Sequence, residues 1–276
     1  MSKVLTDAQI DQFRAEGWAG PIKVYSEDEM AALRQRVEKF EAANPTEGGK
    51  LYQGPHLLFP WLYDVLHVPH LVAAWQDLFG PNLLSVTTGF RIKNPSTDSY
   101  VGWHQDAYYV RYQPFWSTCI LAFTESTIEN GCVQVVPGSH KLGLLPHEET
   151  DDENNILTRG QHITVPFDRS RAIHVKLRPG ELIVMDHLLI HGSDQNHSKD
   201  RRINFLIDVL PTFARREGKR ESAVLVAGKD TYDYYDFEER PKDDFGPMAR
   251  ERHRAVITRR NEKSYEGSTR VSPALK

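Results

Sequence analysis

The sequence predicts a mainly β protein, a sandwich or barrel preceded by a helical flank. Two helix-start signatures stand close to the N-terminus. Beyond residue 80 the texture changes to apolar, β-branched runs of strand length. Gly and Pro turns punctuate those runs, at Asn94-Pro95, Asn130-Gly131, Pro137-Gly138 and Pro179-Gly180.

The helices come first. In "LTDAQI" Thr6 can accept from the backbone N–H three residues on, Gln9 can reach back, and Leu5 can staple against Ile10. "YSEDEM" repeats the device with Ser26, Glu29, Tyr25 and Met30. The helix that follows carries Met30, Leu33, Val37 and Phe40 at helical spacing. It stops where Pro45 disfavours helical geometry at Asn44. Residues 57–79 read as two short helices broken at Pro69. The strands follow: "LLSVTTGFRI", "TCILAFTES", "GCVQVVPGS", "AIHVKL", "ELIVM" and "RINFLIDVL". The acidic stretch 147–155 reads as a solvated loop. From Arg215 the chain is highly charged, which suggests a surface tail packed back on the domain. We therefore expect a single domain over 1–276, with a helical flank (1–80), a β core (81–212) and a charged extension (213–276).

The bulk numbers narrow the function classes. An apolar fraction of 39% supports a core, and a net charge of -4 points to neither nucleic acid nor a membrane surface. No stretch approaches the roughly 20 apolar residues of a membrane span. The N-terminus shows no signal-peptide core. Two cysteines, Cys119 and Cys132, make no disulfide framework and read as buried thiols. The expected compartment is the cytoplasm.

"GWHQDAYYV" (102–110) sets His104 and Asp106 two apart. In an extended strand, residues i and i+2 face one side. The two side chains then form a structural hydrogen-bonded pair or two ligands of one metal. A distant strand in "PGELIVMDHLLIHGSDQNHSKDRRINFL" (179–206) ends in His191, Gly192 and Ser193. A histidine from such a distant strand would complete a two-histidine, one-carboxylate set that leaves three octahedral positions open, as in non-haem Fe(II) oxygenases. All-sulfur structural zinc is excluded by the cysteine count, and the protease pattern H-E-x-x-H is absent.

Together these pieces resemble the phytanoyl-CoA dioxygenase family of Fe(II)- and 2-oxoglutarate-dependent oxygenases. The resemblance runs from about residue 5 to 212 and rests on H-x-D, a distal His followed by Gly-Ser, and an Arg eleven residues after that His. "ENGCVQVVPGSHK", "LTRGQ" and "LTDAQIDQFRAEGW" add to it. It implies a double-stranded β-helix (jelly roll, cupin-like). It implies Fe(II) on His104, Asp106 and His191, which are also the catalytic set. It implies O2 and 2-oxoglutarate as co-substrates, the latter held by Arg202 and Ser193. Strand parity supports Arg202. Ile203, Phe205, Ile207 and Val209 make an apolar face, while Arg202, Asn204, Leu206 and Asp208 make the polar one. The competing role for Arg202 is a salt bridge to Asp208 or Asp186. His187 is read as a packed neighbour of the site.

Related halogenases carry a small residue where Asp106 stands, so the expected reaction is oxidation of a C–H bond, foremost hydroxylation, with release of succinate and CO2. The expected substrate is a small metabolite or natural-product intermediate. "RREGKR" (215–220) is basic but interrupted, and does not favour CoA. Aromatics including Tyr109 cluster after the motif. The pocket candidates are Arg91, Lys93, Tyr108, Trp116 and Gln161. Other readings of the same ligands are a cupin-like metal hydrolase or isomerase and a non-catalytic binding module. The choice between monomer and homodimer stays open.

Overall fold

The computed structural model describes residues 3–108, 110, 112–216 and 220–264. Tyr109 and the last twelve residues of the expected extension lie outside the described residues. Both capping boxes form. Thr6 and Gln9 exchange hydrogen bonds of 3.2 and 3.0 Å at the start of α1 (Asp7–Glu16). β1 (Trp18–Lys23) leads to α2 (Glu27–Ala43), opened by Ser26 and Glu29 and closed at Asn44. α3 (Pro60–Val65) and α4 (Pro69–Phe79) each begin with proline, whose missing N–H costs nothing in the first turn.

The strands are β2 (Leu83–Lys93), β3 (Val101–His104), β4 (Tyr112–Gln113), β5 (Ser117–Ala122), β6 (Val133–Val135), β7 (His147–Glu148) and β8 (His162–Ile163). They continue as β9 (Ile173–Val175), β10 (Glu181–Asp186), β11 (His191–Ser193), β12 (Arg202–Pro211), β13 (Arg215–Arg216), β14 (Glu221–Ala227) and β15 (Tyr235–Phe237), before α5 (Pro247–Ser264). A seven-stranded sheet runs β1-β10-β5-β12-β2-β14-β15, and a four-stranded sheet runs β3-β11-β6-β9. All pairings in these sheets are antiparallel except β14 with β15.

Strand alternation decides what each face of the large sheet does. Ile203, Phe205, Ile207 and Val209 of β12 join Leu121, Cys119 and Val184 in one core with Met30, Val37, Leu62, Leu71 and Trp75 of the helices. The helices thus seal the outer face. The Trp75 indole N–H donates to the Cys119 sulfur at 3.1 Å, and burial pushes that thiol up, so it stays protonated. Both cysteines are free and buried, and neither is positioned as a thiolate. A second cluster, with Ile120, Ile183, Met185, Val133 and Val135, fills part of the space between the sheets.

Two expectations need correction. β3 ends at His104, and Asp106 opens a single 3-10 turn (Asp106–Tyr108). The charged extension is also more than a surface tail. "ESAVLVA" forms β14 and hydrogen-bonds β2 as part of the large sheet, because its central apolar residues complete the core around Val224 and Val226. No helix among the described residues is long and apolar enough to cross a membrane.

Candidate active site

β3 and β11 pair so that His191 lies opposite His104, which brings the two rings within 4.1 Å, centroid to centroid. The chain turns after His104 and returns the Asp106 carboxylate to the same side. Ligand atoms of His104, Asp106 and His191 all lie within 4.8 Å of one another. Hydrogen bonds fix the tautomers. Nδ1 of His104 bonds the Gly102 carbonyl at 2.9 Å, and Nδ1 of His191 bonds the Leu189 carbonyl at 3.0 Å. A carbonyl oxygen only accepts, so each Nδ1 carries a proton and Nε2 is the nitrogen turned toward the shared point. Those Nε2 atoms stand 3.3 and 3.8 Å from Asp106 Oδ1. Burial, with His104 beside it, holds His191 down to about 4, so it is neutral at pH 7. Two imidazoles and a carboxylate converging on one buried point fit an Fe(II) ion.

The other oxygen of Asp106 is held separately. Thr118 Oγ1 lies 2.7 Å from Asp106 Oδ2 and 3.0 Å from Asp208 Oδ1. A hydroxyl has one proton, and it cannot donate to two carboxylates. The consistent arrangement has Thr118 donating to Asp106, with a protonated Asp208 donating to Thr118. Burial, with the Asp106 charge close by, pushes Asp208 up to about 8. Burial alone would also raise Asp106, but His191, His104 and the Thr118 hydroxyl hold it well below the usual carboxylate range.

Along the same face of the large sheet lies a cationic end. Arg202 pairs in register with Lys93, and both are almost fully buried. Arg202 donates from Nη1 to the Gly131 carbonyl, while its Nε has no partner. Gly131 has φ +72°, and a Cβ there would lie 2.1 Å from the Asp194 carbonyl, so glycine is required for this approach. Lys93 Nζ donates to Ser193 Oγ at 2.7 Å and to the Ser193 and Asp194 carbonyls. Burial lowers Lys93 to about 6 and Arg202 to about 10. Among the described residues neither forms an ion pair with a carboxylate. Arg202 does not reach Asp208 or Asp186. A buried guanidinium with an unpaired N–H, beside a buried lysine amine, is suited to the distal carboxylate of a small diacid such as 2-oxoglutarate.

Residues 13–204 match the family "Phytanoyl-CoA dioxygenase (PhyH)". The chain belongs to the phytanoyl-CoA dioxygenase family. A probable phytanoyl-CoA dioxygenase of Caenorhabditis elegans is 30% identical over 60% of this chain and 57% of its own length. The peroxisomal phytanoyl-CoA dioxygenase of Homo sapiens is 27% identical over 51% of this chain and 43% of its own. The matched residues thus span about half the length of these curated relatives. Among solved structures, the apo non-haem monooxygenase ThoJ superposes with a TM-score of 0.84 at 28% identity, covering 94% of this chain and 98% of that one. The architecture is the double-stranded β-helix of this group.

A cavity of about 200 Å³ runs between the sheets of this phytanoyl-CoA dioxygenase family member. His104, Asp106, His191, Ser193 and Arg202 all line it, as do Arg91 and Trp116 of the pocket candidates. Three other pocket candidates are placed outside its wall. Lys93 points past it into the Ser193 loop. Tyr108 stacks on His147, with ring centroids 4.7 Å apart. Gln161 is fully buried, and its backbone carbonyl accepts from Asn155 Nδ2 at 3.5 Å. His187 packs against Trp116 and bonds its carbonyl at 3.0 Å, apart from the metal-type cluster. Gln105 does not line the cavity, and its amide ties down the Gly143, Leu145 and Leu188 backbone. Sequence reasoning missed Thr118, Tyr52 and the C-terminal wall residues Arg216, Ile257 and Arg260. For Asp208 the inward parity was visible, but its partner was not.

Proposed function

We propose that this protein is an Fe(II)- and 2-oxoglutarate-dependent dioxygenase that hydroxylates a C–H bond of a small metabolite or natural-product intermediate. One observation carries the reading. A preorganised His104/Asp106/His191 cluster and an unsatisfied buried guanidinium, Arg202, open into the same cavity. The nickel complex of ThoJ, a non-haem monooxygenase 26% identical to this chain, supports it.

His104, Asp106 and His191 would hold the iron. Arg202, with Ser193 and Lys93 behind it, would hold the far carboxylate of 2-oxoglutarate. Iron and 2-oxoglutarate, when bound, supply the oxidising power for C–H cleavage, with succinate and CO2 as by-products. The chain's own work is placement. Both histidines are kept in the Nε2-ligand tautomer, Thr118 aims one oxygen of Asp106 at the histidines, and the apolar wall keeps water out. Asp106 also supports hydroxylation over halogenation, because its carboxylate takes the place that a halide would need.

The test begins anaerobically. Fe(II) and 2-oxoglutarate are added to the purified protein, and the weak visible absorption of the chelate is sought. Oxygen is then admitted and succinate is measured. Both signals are expected. A protein that binds zinc or manganese equally well and releases no succinate contradicts the reading and favours a hydrolase or isomerase.

A further inference from the structure

Four arginines line the cavity: Arg91, Arg202, Arg216 and Arg260. Three have an assigned counterpart. Arg202 belongs to the co-substrate end. Arg216 lies 3.6 Å from Glu221, and Arg260 lies 2.5 Å from Glu238. Arg91 forms no ion pair with a carboxylate among the described residues; the Asp208 carboxyl acts on it only through space.

Arg91 is nevertheless built into place. Its Nη1 donates to the carbonyls of Tyr52 and Phe90, both at 3.1 Å. Its guanidinium carbon sits 3.9 Å from the Tyr52 ring centroid. That ring is anchored in turn, because the Tyr52 hydroxyl donates to the Ile156 carbonyl at 2.5 Å. The Tyr52 backbone comes this close because Gly89 has no side chain: a Cβ there would meet the Tyr52 carbonyl at 2.2 Å. A guanidinium fixed by two carbonyls and an aromatic face is preorganised to receive an anion along its remaining edge. The acid on the same face, Asp208, is engaged by the Thr118 hydroxyl at 3.0 Å. Other parts of the wall are apolar: Val86, Val110, Trp116, Leu157 and Ile257.

We infer that the substrate is a small organic acid carrying a single carboxylate, bound by Arg91, on an apolar body that lies along Trp116 and Ile257. The inference rests on the proposed oxygenase reading and names its substrate class. A nucleotide-linked thioester is disfavoured, because the described wall offers no further unpaired cations for its phosphates.

The test uses octanoate and 3-phenylpropanoate beside their primary amides. Binding to the anaerobic Fe(II)/2-oxoglutarate-loaded protein is read by tryptophan fluorescence, and turnover by succinate release above the rate without added compound. At least one acid is expected to bind and raise succinate release, with the matching amide at least about tenfold weaker. Arg91→Met should weaken that acid by about tenfold or more, and Arg91→Lys should restore part of the loss. The KM for 2-oxoglutarate in the absence of added acid should stay within about twofold. Amides binding as well as acids, or neither acid binding, overturns the inference even when Arg91→Met fails to fold. An Arg91→Met protein that loses 2-oxoglutarate instead also overturns it, by assigning Arg91 to the co-substrate. Absence of the chelate band and of all succinate sinks the oxygenase reading itself, and is thereby distinguished from failure of the substrate class.

Discussion

Thr118 has one proton to give and stands between two carboxylates. That fact organises the centre, because it forces Asp208 to be the acid that keeps its proton and leaves Asp106 free to ligate. Thr118→Val removes the bond that aims Asp106 and leaves its Oδ2 unpaired. Fe(II) affinity is expected to fall about 10–100-fold, measured by anaerobic titration, while Asp208→Asn, whose amide still donates to Thr118, changes it little. The same proton appears in stability. Asp208 is raised from 3.8 to about 8, so the folded chain holds a proton that the unfolded chain releases. The stability from that proton is complete below pH 4 and is lost as pH rises to about 8. The metal-free melting temperature of the native protein should therefore fall relative to Asp208→Asn across that window. Parallel curves for the two proteins would contradict the assignment. At this scale the i, i+2 spacing singled out His104 and Asp106 as a pair, while His191 and Arg202 came with the family resemblance, and strand parity added support for Arg202. Thr118 was not legible, since a threonine in an apolar strand shows its meaning only when β5 is laid beside β12.

β12 is the element on which the two halves of the molecule meet. One face carries Arg202, Asn204 and Asp208 into the cavity, and the other carries Ile203, Phe205 and Ile207 into the helices. Arg201, one residue out of phase, turns outward and forks onto Glu41 of α2 at 2.7 and 2.9 Å. Phe205 meets the Phe90 and Phe123 rings at 4.8 and 5.9 Å and is fully buried. Phe205→Ala should cost about 3–5 kcal/mol in denaturant unfolding. The variant should still require 2-oxoglutarate at near-native concentration, because the lost contacts lie on the helical side. Period-two alternation made this strand readable in advance. The same rule carried β3 two residues too far: it describes side-chain direction within a strand, and the 3-10 turn at Asp106 achieves the same direction by bending the backbone.

Across the whole molecule, the N-terminal helices cover the outside of the large sheet while the C-terminal segment reaches the inside. Ile257 and Arg260 of α5 form part of the cavity wall, and Arg260 is tied to Glu238, which His56 also bonds at 2.7 Å. This wall lies beyond the residues that match the family, 13–204. That explains why its role could not be read from the motif, and why high charge around "SAVLVA" masked a strand. Replacing Arg260 with Met should loosen α5 and raise the KM of whichever acid the enzyme accepts, with smaller effect on 2-oxoglutarate. The long-range pairing of β3 with β11 is the feature on which every functional statement depends. Its most direct test is iron bound per chain, measured anaerobically in the native protein and in His191→Ala. The account predicts one Fe(II) per native chain and no tight site in the variant. Native-like iron binding by His191→Ala would contradict it.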